Sequence, residues 1–252
     1  MEKIAAVVLA AGKGTRMSQG HPPAGGSPIP KVMFKIHNRP MIEYSIENLQ
    51  KAGIKKIVLV VGYKKELVIN DIGRRVEYAI QEEQLGTGHA TMQARKNLEG
   101  KVEKVIVCYG DMPLFKPETI KNLIKEYQTQ EPIIAMLSVN FDNPEYWAYG
   151  RICRDENGYV SAIVEQKDCS AEQLKIKESN PGFYIFDARW LWENFEKLST
   201  DNAQHEYYLT DMIHIARDQG KKIIAVKVSD ENEVLGINTP EQLKKVEEIL
   251  KK

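Results

Sequence analysis

The 252-residue chain has no excess of charge. Its 35 Lys and Arg are matched by 35 Asp and Glu, so no bulk field draws it to nucleic acid or an anionic membrane. Any anion site must be built locally. Cysteine is scarce as well. Cys108, Cys153 and Cys169 are odd in number, far apart and without a CxxC pair, which argues against a disulfide framework or a thiolate metal cage. Long apolar runs are also missing. The first, Ile4 to Ala11, is too short to span a bilayer. It lacks the n-region and cleavage site of a signal peptide and passes straight into a glycine loop. These absences point to a cytoplasmic enzyme with no nucleic-acid or membrane partner. The remainder, 42% hydrophobic and 28% charged residues, suits one globular domain with a sizeable core.

Strand-like and helix-like segments alternate along the first 140 residues. Strands are predicted over Lys3 to Ala10, Lys56 to Val61, Val76 to Ile80, Val102 to Tyr109 and Ile133 to Val139. Helices are predicted over Pro40 to Ala52, Lys64 to Ile72, Gly88 to Leu98 and Pro117 to Tyr127. This order predicts an α/β fold, a mostly parallel sheet with helices on both faces. From residue 141 the pattern changes. Gly150 to Arg154 and Tyr159 to Glu165 flank Asp155-Glu156-Asn157-Gly158, a hairpin turn. Further strands are expected at Phe183 to Asp187 and Lys222 to Val228, and helices over Trp190 to Leu198, Tyr207 to Asp218 and Pro240 to Leu250. The whole reads as a single domain with two halves, about 1–140 and 141–252. Gln19 to Pro30, rich in Gly and Pro, reads as a loop.

Gly12-Lys13-Gly14-Thr15-Arg16 follows the first strand. Glycines there let the backbone turn tightly and bring N–H groups to an anion, and Arg16 adds a planar cation. The loop lacks the Walker A spacing and the third glycine of a dinucleotide fingerprint. Alone it could equally be a structural turn.

Leu9 to Met17 followed by Pro30-Lys31-Val32 resembles the signature of the sugar nucleotidyltransferases. The later segments Gln81 to Ala90, Tyr109 to Leu114, Tyr149 to Ile152, Ile163 to Asp168 and Glu206 to Asp211 narrow the likeness. Together they resemble the uridyltransferase domain of the bacterial N-acetylglucosamine-1-phosphate uridyltransferases, in order from Ile4 to about Leu243. The resemblance implies a Rossmann-like nucleotide-diphospho-sugar transferase fold with a small antiparallel region for the sugar. It also implies UTP and a sugar-1-phosphate as substrates, and Mg2+ as cofactor. Leu9, Ala10, Ala11, Gly12, Gly14, Gln81, Gly86 and Thr87 fall at the nucleotide. Tyr109, Gly110, Gly150, Glu165, Asn180 and Asn238 fall at the sugar, and Asp111 with Asn238 at the metal. Arg16 and Lys31 are the catalytic cations of a reaction in which a phosphate oxygen attacks the α-phosphorus of a triphosphate. The nucleophile is already an anion, so charge neutralisation and positioning carry such chemistry.

Blander readings stand beside these. Asp111 could cap a turn, Asn238 could cap the helix at Pro240, and Lys31 could be an exposed lysine. Gly150, Glu165 and Asn180 could be a bulge, a surface carboxylate and a turn. His89 falls at a helix start and is read as structural. Two departures from the family pattern lie beside the expected sugar pocket: Pro181 where the family has Thr, and the bulky Tyr146-Trp147-Ala148. Hexapeptide repeats are lacking, so neither an acetyltransferase nor its trimer is expected, and a monomer or homodimer is.

Overall fold

The computed structural model describes residues 4–15, 17 and 29–251, leaving out the side chain of Tyr146. Arg16 and most of the Gly- and Pro-rich loop therefore lie outside the described residues.

The strands in chain order are β1 (Ile4–Leu9), β2 (Lys35–Ile36), β3 (Arg39–Pro40), β4 (Lys56–Val61), β5 (Glu77–Ile80), β6 (Lys104–Tyr109) and β7 (Ile134–Asn140). They continue with β8 (Gly150–Arg154), β9 (Val160–Val164), β10 (Glu178–Asn180), β11 (Tyr184–Asp187) and β12 (Ile223–Lys227). Among the described residues one sheet runs β5-β4-β1-β6-β11-β7, with β12 on the far flank of β7. The strands β5, β4, β1 and β6 are parallel. The inner three, β4, β1 and β6, read as near-continuous apolar runs because both of their faces are buried, whereas β5 at the edge is partly exposed. The small antiparallel region, β10-β8-β9, grows from the end of β7.

Strand register decides where the site lies. Leu9 is level with Val60 and Tyr109, and Val61 with Ile80. The segments that follow each strand therefore leave the sheet along one carboxyl edge, where ligands of open α/β sheets bind. β11 is antiparallel and lies between β6 and β7, so its amino end reaches that same edge.

Several expected boundaries move, each for a local reason. Pro40 does not open the helix Met41–Lys51 but precedes it, ending the short β2–β3 hairpin, whose turn places His37 and Asn38 at positive φ. The helix Asp211–Asp218 starts four residues later than expected. Tyr207 instead donates its N–H to Leu85 O and accepts from Gly88 N, which ties that segment to the first half of the chain. The run from Gly88 to Leu98 forms two helices, Thr87–Gln93 and Arg95–Leu98, which meet at Ala94. The hairpin at Asp155 closes as expected, with Gly158 at φ +81° and the Asp155 carboxylate accepting from the N–H groups of Asn157 and Tyr159. All three cysteines are free thiols. Burial pushes the Cys108 thiol up to about 12, which leaves it inert at neutral pH.

Candidate active site

Two cavities open side by side along the carboxyl edge. The first, about 220 Å³, follows β1 and β5 and is lined by Leu9, Ala10, Ala11, Gly12, Lys31, Gln81, Gly86 and Thr87. The second, about 550 Å³, lies toward the antiparallel region against Trp147, Ala148, Tyr149, Glu165, Gln166, Lys167, Gln204 and Asn238. Tyr109 and Asp111 border both. A ligand in either cavity thus meets the other at the end of β6.

The turn Lys31–Met33 directs Lys31 into that seam. Its Nζ donates to Asp111 Oδ2 and, at 2.6 Å, to Asn238 Oδ1. Asp111 and Asn238 are brought together from distant segments, and Ile237 N–H donates to Asp111 O at 3.0 Å. Asn238 is not the helix cap that its place before Pro240 allowed. Thr239 caps the helix Pro240–Ile249 in a reciprocal pair with Gln242, and the Asn238 amide oxygen turns to Lys31 instead. Two hard oxygen donors already converge on one cation, so the pair fits a divalent ion whose remaining ligands come from phosphate and water. Among the described residues no group of three or more His, Cys, Asp or Glu forms a metal cage.

The expected nucleotide residues Leu9, Ala10, Ala11, Gly12, Gln81, Gly86 and Thr87 all line the smaller cavity. Gly14 does not; it packs against the stem of Lys31, where an added Cβ would come within 2.8 Å of Lys31 Cβ. The Thr87 hydroxyl accepts from Leu209 N–H at 3.0 Å and is therefore engaged within the protein. Gln81 Nε2 donates to Gly86 O at 3.2 Å and lies 3.1 Å from His89 Nδ1, which gives His89 the structural place expected of it. Glu206 also borders this cavity, a carboxylate the sequence did not single out there. Burial pushes its carboxyl above the ordinary value.

Of the expected sugar residues, Tyr109, Glu165 and Asn238 line the larger cavity. The others sit behind it. Gly110 donates its N–H to Leu9 O and shapes the turn. Gly150 lies beneath Glu165, where an added Cβ would stand 3.5 Å from Oε2. Asn180 is buried, donating to Tyr184 Oη and accepting from Gly182 N–H at 3.0 Å. It holds the kink that separates β10 from β11.

Glu165 Oε1 accepts from Thr210 Oγ1 at 3.1 Å. Burial pushes its carboxyl up, outweighing the hydroxyl. Thr210 belongs to the Glu206 to Asp211 motif, and no sequence signal foretold its contact with Glu165. Tyr149 was also missed as a brace. Its hydroxyl donates to Val234 O at 2.6 Å and accepts from Gly236 N at 2.7 Å, fixing the segment that carries Asn238. Lys167 and Gln204 pair across the mouth of the cavity at 2.6 Å. Among the described residues no helix is long and apolar enough to cross a membrane.

With this geometry in hand, the chain was compared with known proteins. Residues 6–172 match the MobA-like NTP transferase domain. The bifunctional protein GlmU of Acetivibrio thermocellus is 43% identical over 251 residues, covering 100% of this chain and 52% of that protein. GlmU of Clostridium novyi is 45% identical over 247 residues, covering 98% and 52%. The chain thus spans about half the length of these relatives. A UDP-glucose pyrophosphorylase solved with UDP-glucose superposes with a TM-score of 0.79 at 20% identity, over 100% of this chain and 99% of that one, and shares its fold. The MobA-like match covers well over half of the sequence and the GlmU likeness nearly all of it, so this chain is a nucleotidyltransferase and belongs to the MobA-like NTP transferase family.

Proposed function

We propose that the chain transfers the uridylyl group of UTP to N-acetylglucosamine-1-phosphate, giving UDP-N-acetylglucosamine and pyrophosphate. The observation that carries this reading is the seam: Asp111 and Tyr109 border both cavities, and the Lys31 ammonium lies against Asp111. A triphosphate in one cavity and a sugar phosphate in the other would bring two polyanions together there. Lys31 neutralises phosphate oxygens at the reacting centre, and Arg16 holds the departing pyrophosphate. Asp111 and Asn238 would hold Mg2+, which would supply further neutralisation of phosphate charge.

The preference for uracil follows from Gln81. Its Nε2 faces both Gly86 O and His89 Nδ1, so the group it can turn to a base is the Oε1 acceptor. That suits the N3–H of uracil and opposes the acceptor nitrogen of cytosine. Glu165 accepts from sugar hydroxyls, while the buried Tyr109 phenol, pushed up by burial, stays neutral. Three unpaired thiols agree with a reducing compartment, the cytoplasm, where the enzyme acts as a monomer or homodimer.

A pyrophosphate-release assay over a matrix of nucleotides and sugar-1-phosphates, with Mg2+ supplied, tests the reading. Turnover should be greatest with UTP and N-acetylglucosamine-1-phosphate. Preference for glucose-1-phosphate would overturn the sugar assignment, and no turnover with any pair would overturn the reaction.

Glu165 adds a pH signature. It accepts most strongly from hydroxyls when ionised, yet burial favours its neutral form. The KM for sugar phosphate is therefore expected to rise on acidification from a pH above 4.5, the ordinary glutamate value. Stability moves the other way. A carboxyl raised in the folded state destabilises the fold as pH rises through its unfolded and then its folded value. Glu165→Gln should thus flatten the acid limb of the KM profile, raise KM throughout and raise Tm at neutral pH. An unchanged acid limb in that variant would remove Glu165 from the sugar site.

A further inference from the structure

We infer that the Lys31 side chain has two stations: without ligands its ammonium fills the cation site between Asp111 and Asn238, and an arriving divalent cation drives it out toward the triphosphate. The inference rests on the metal site proposed above and says how that site is kept when no metal is bound.

The first station is seen directly. One Nζ donates to both Asp111 Oδ2 and Asn238 Oδ1, so the two oxygens proposed as metal ligands both face the same ammonium. An ammonium has only donors and satisfies the lone pairs that a metal would need. Mg2+ requires oxygens at about 2.0–2.1 Å in a nearly octahedral shell. An Nζ 2.6 Å from Asn238 Oδ1 occupies that space, so metal and ammonium exclude each other. The exclusion also has a benefit. With side-chain exposures of 16% and 18%, Lys31 and Asp111 are largely withdrawn from water, and a lone carboxylate there would be costly. The ammonium keeps the two oxygens converged until the metal replaces it.

The second station follows from the attachment of Lys31. Its Cβ packs close against Gly14 of the glycine loop, while three carbons separate that pivot from the charge. The side chain also lines the smaller cavity with Gly12 and Gln81. A swing about the pinned stem carries the charge from the carboxylate to a phosphate in that cavity without moving the backbone. Metal and triphosphate then help each other: the metal releases Lys31 for the phosphates, and the phosphates supply the metal's missing ligands. By linkage the help is equal in both directions.

The test needs neither turnover nor sugar. Mn2+ binding to the full chain is followed by electron paramagnetic resonance for the wild type, Lys31→Met and Asp111→Ala, with thermal melts to verify folding. Lys31→Met should bind Mn2+ about tenfold tighter than the wild type, since the resident cation is gone, a change of about 1.4 kcal/mol. In parallel, reductive methylation of the wild type is read by mass spectrometry with and without Mg2+. Mg2+ alone should raise labelling of Lys31 several-fold and leave the exposed Lys121 unchanged. If Lys31→Met binds Mn2+ no tighter, or Mg2+ leaves Lys31 labelling unchanged, while Mn2+ still depends on Asp111, this inference alone fails. Mn2+ binding indifferent to Asp111→Ala overturns the metal assignment beneath it.

Discussion

Asp111→Ala is expected to lower kcat by about a thousandfold or more, roughly 4 kcal/mol of transition-state stabilisation, with the fold retained. Asp111 touches everything that meets at the seam. It borders both cavities, pairs with Lys31 and converges with Asn238. Its removal takes away the only carboxylate in that cluster and leaves the lysine on a neutral amide. The cost to stability is small by comparison. The Lys31 ammonium keeps the Asn238 amide oxygen as a partner, and the backbone tie from Ile237 N–H to Asp111 O does not involve the side chain. Melting curves and steady-state kinetics on the same preparation test both parts. Retained turnover would remove Asp111 from the chemistry, and an unfolded variant would mark it as structural.

Gly182→Ala is expected to damage the fold and the site together. Gly182 has φ +76°, where an alanine costs roughly 1–2 kcal/mol. The added Cβ would fall 1.8 Å from Tyr109 Cε2, inside the ring's own volume. Overpacking of this kind adds typically about 1–3 kcal/mol. The total, about 2–5 kcal/mol, corresponds to a fall in Tm of ~10 °C for a chain of this size. Relief can come only by pushing Tyr109 into the space where the two cavities join, so KM for both substrates should rise as well. The double variant Tyr109→Ala/Gly182→Ala separates the causes. It removes the overlap but not the backbone conformation, so it should recover part of the Tm and none of the activity. An unaltered Tm in Gly182→Ala would refute the contact.

The parallel half of the fold was legible because its strands are buried on both faces. Ile4–Leu9, Lys56–Val61 and Lys104–Tyr109 are runs of Val, Ile and Ala that permit few other assignments. The strand Glu178–Asn180 was not legible. Its three residues carry no apolar signal, and it exists because β7 and β8 supply its partners from either side. The helix expected from Tyr207 failed for a related reason: its tyrosines and leucines fit a helical face, but the Tyr207 backbone was claimed by Leu85 and Gly88. In the site, residues within motifs were readable and their supports were not. Lys31, Asp111 and Glu165 stand in recognisable segments. Gly62 does not, though an added Cβ there would meet Gln81 O at 2.8 Å and Ala11 Cβ at 2.9 Å. Such a constraint arises only when distant strand ends share an edge. Asn238 and Thr239 show the limit at closest range, since both are good capping residues and only the position of the Lys31 ammonium decides which one turns away.

The place of β11 has a consequence for how the molecule is made. Its residues 184–187 hydrogen-bond to β6 on one side and β7 on the other, although both of those strands come earlier in the chain. A nascent chain that has reached Asn140 therefore owns two central strands with an empty lane between them. The facing edges of that lane are unpaired and strongly apolar, the kind of edge that pairs with a neighbouring chain. The centre of the sheet cannot close until Asp187 has left the ribosome, so the sheet of the first half cannot mature before this strand of the second half is made. The long separation between these partners also makes closure a slow step relative to forming the local helices. A protein built this way joins its two halves during folding, before either can exist as a separate working unit.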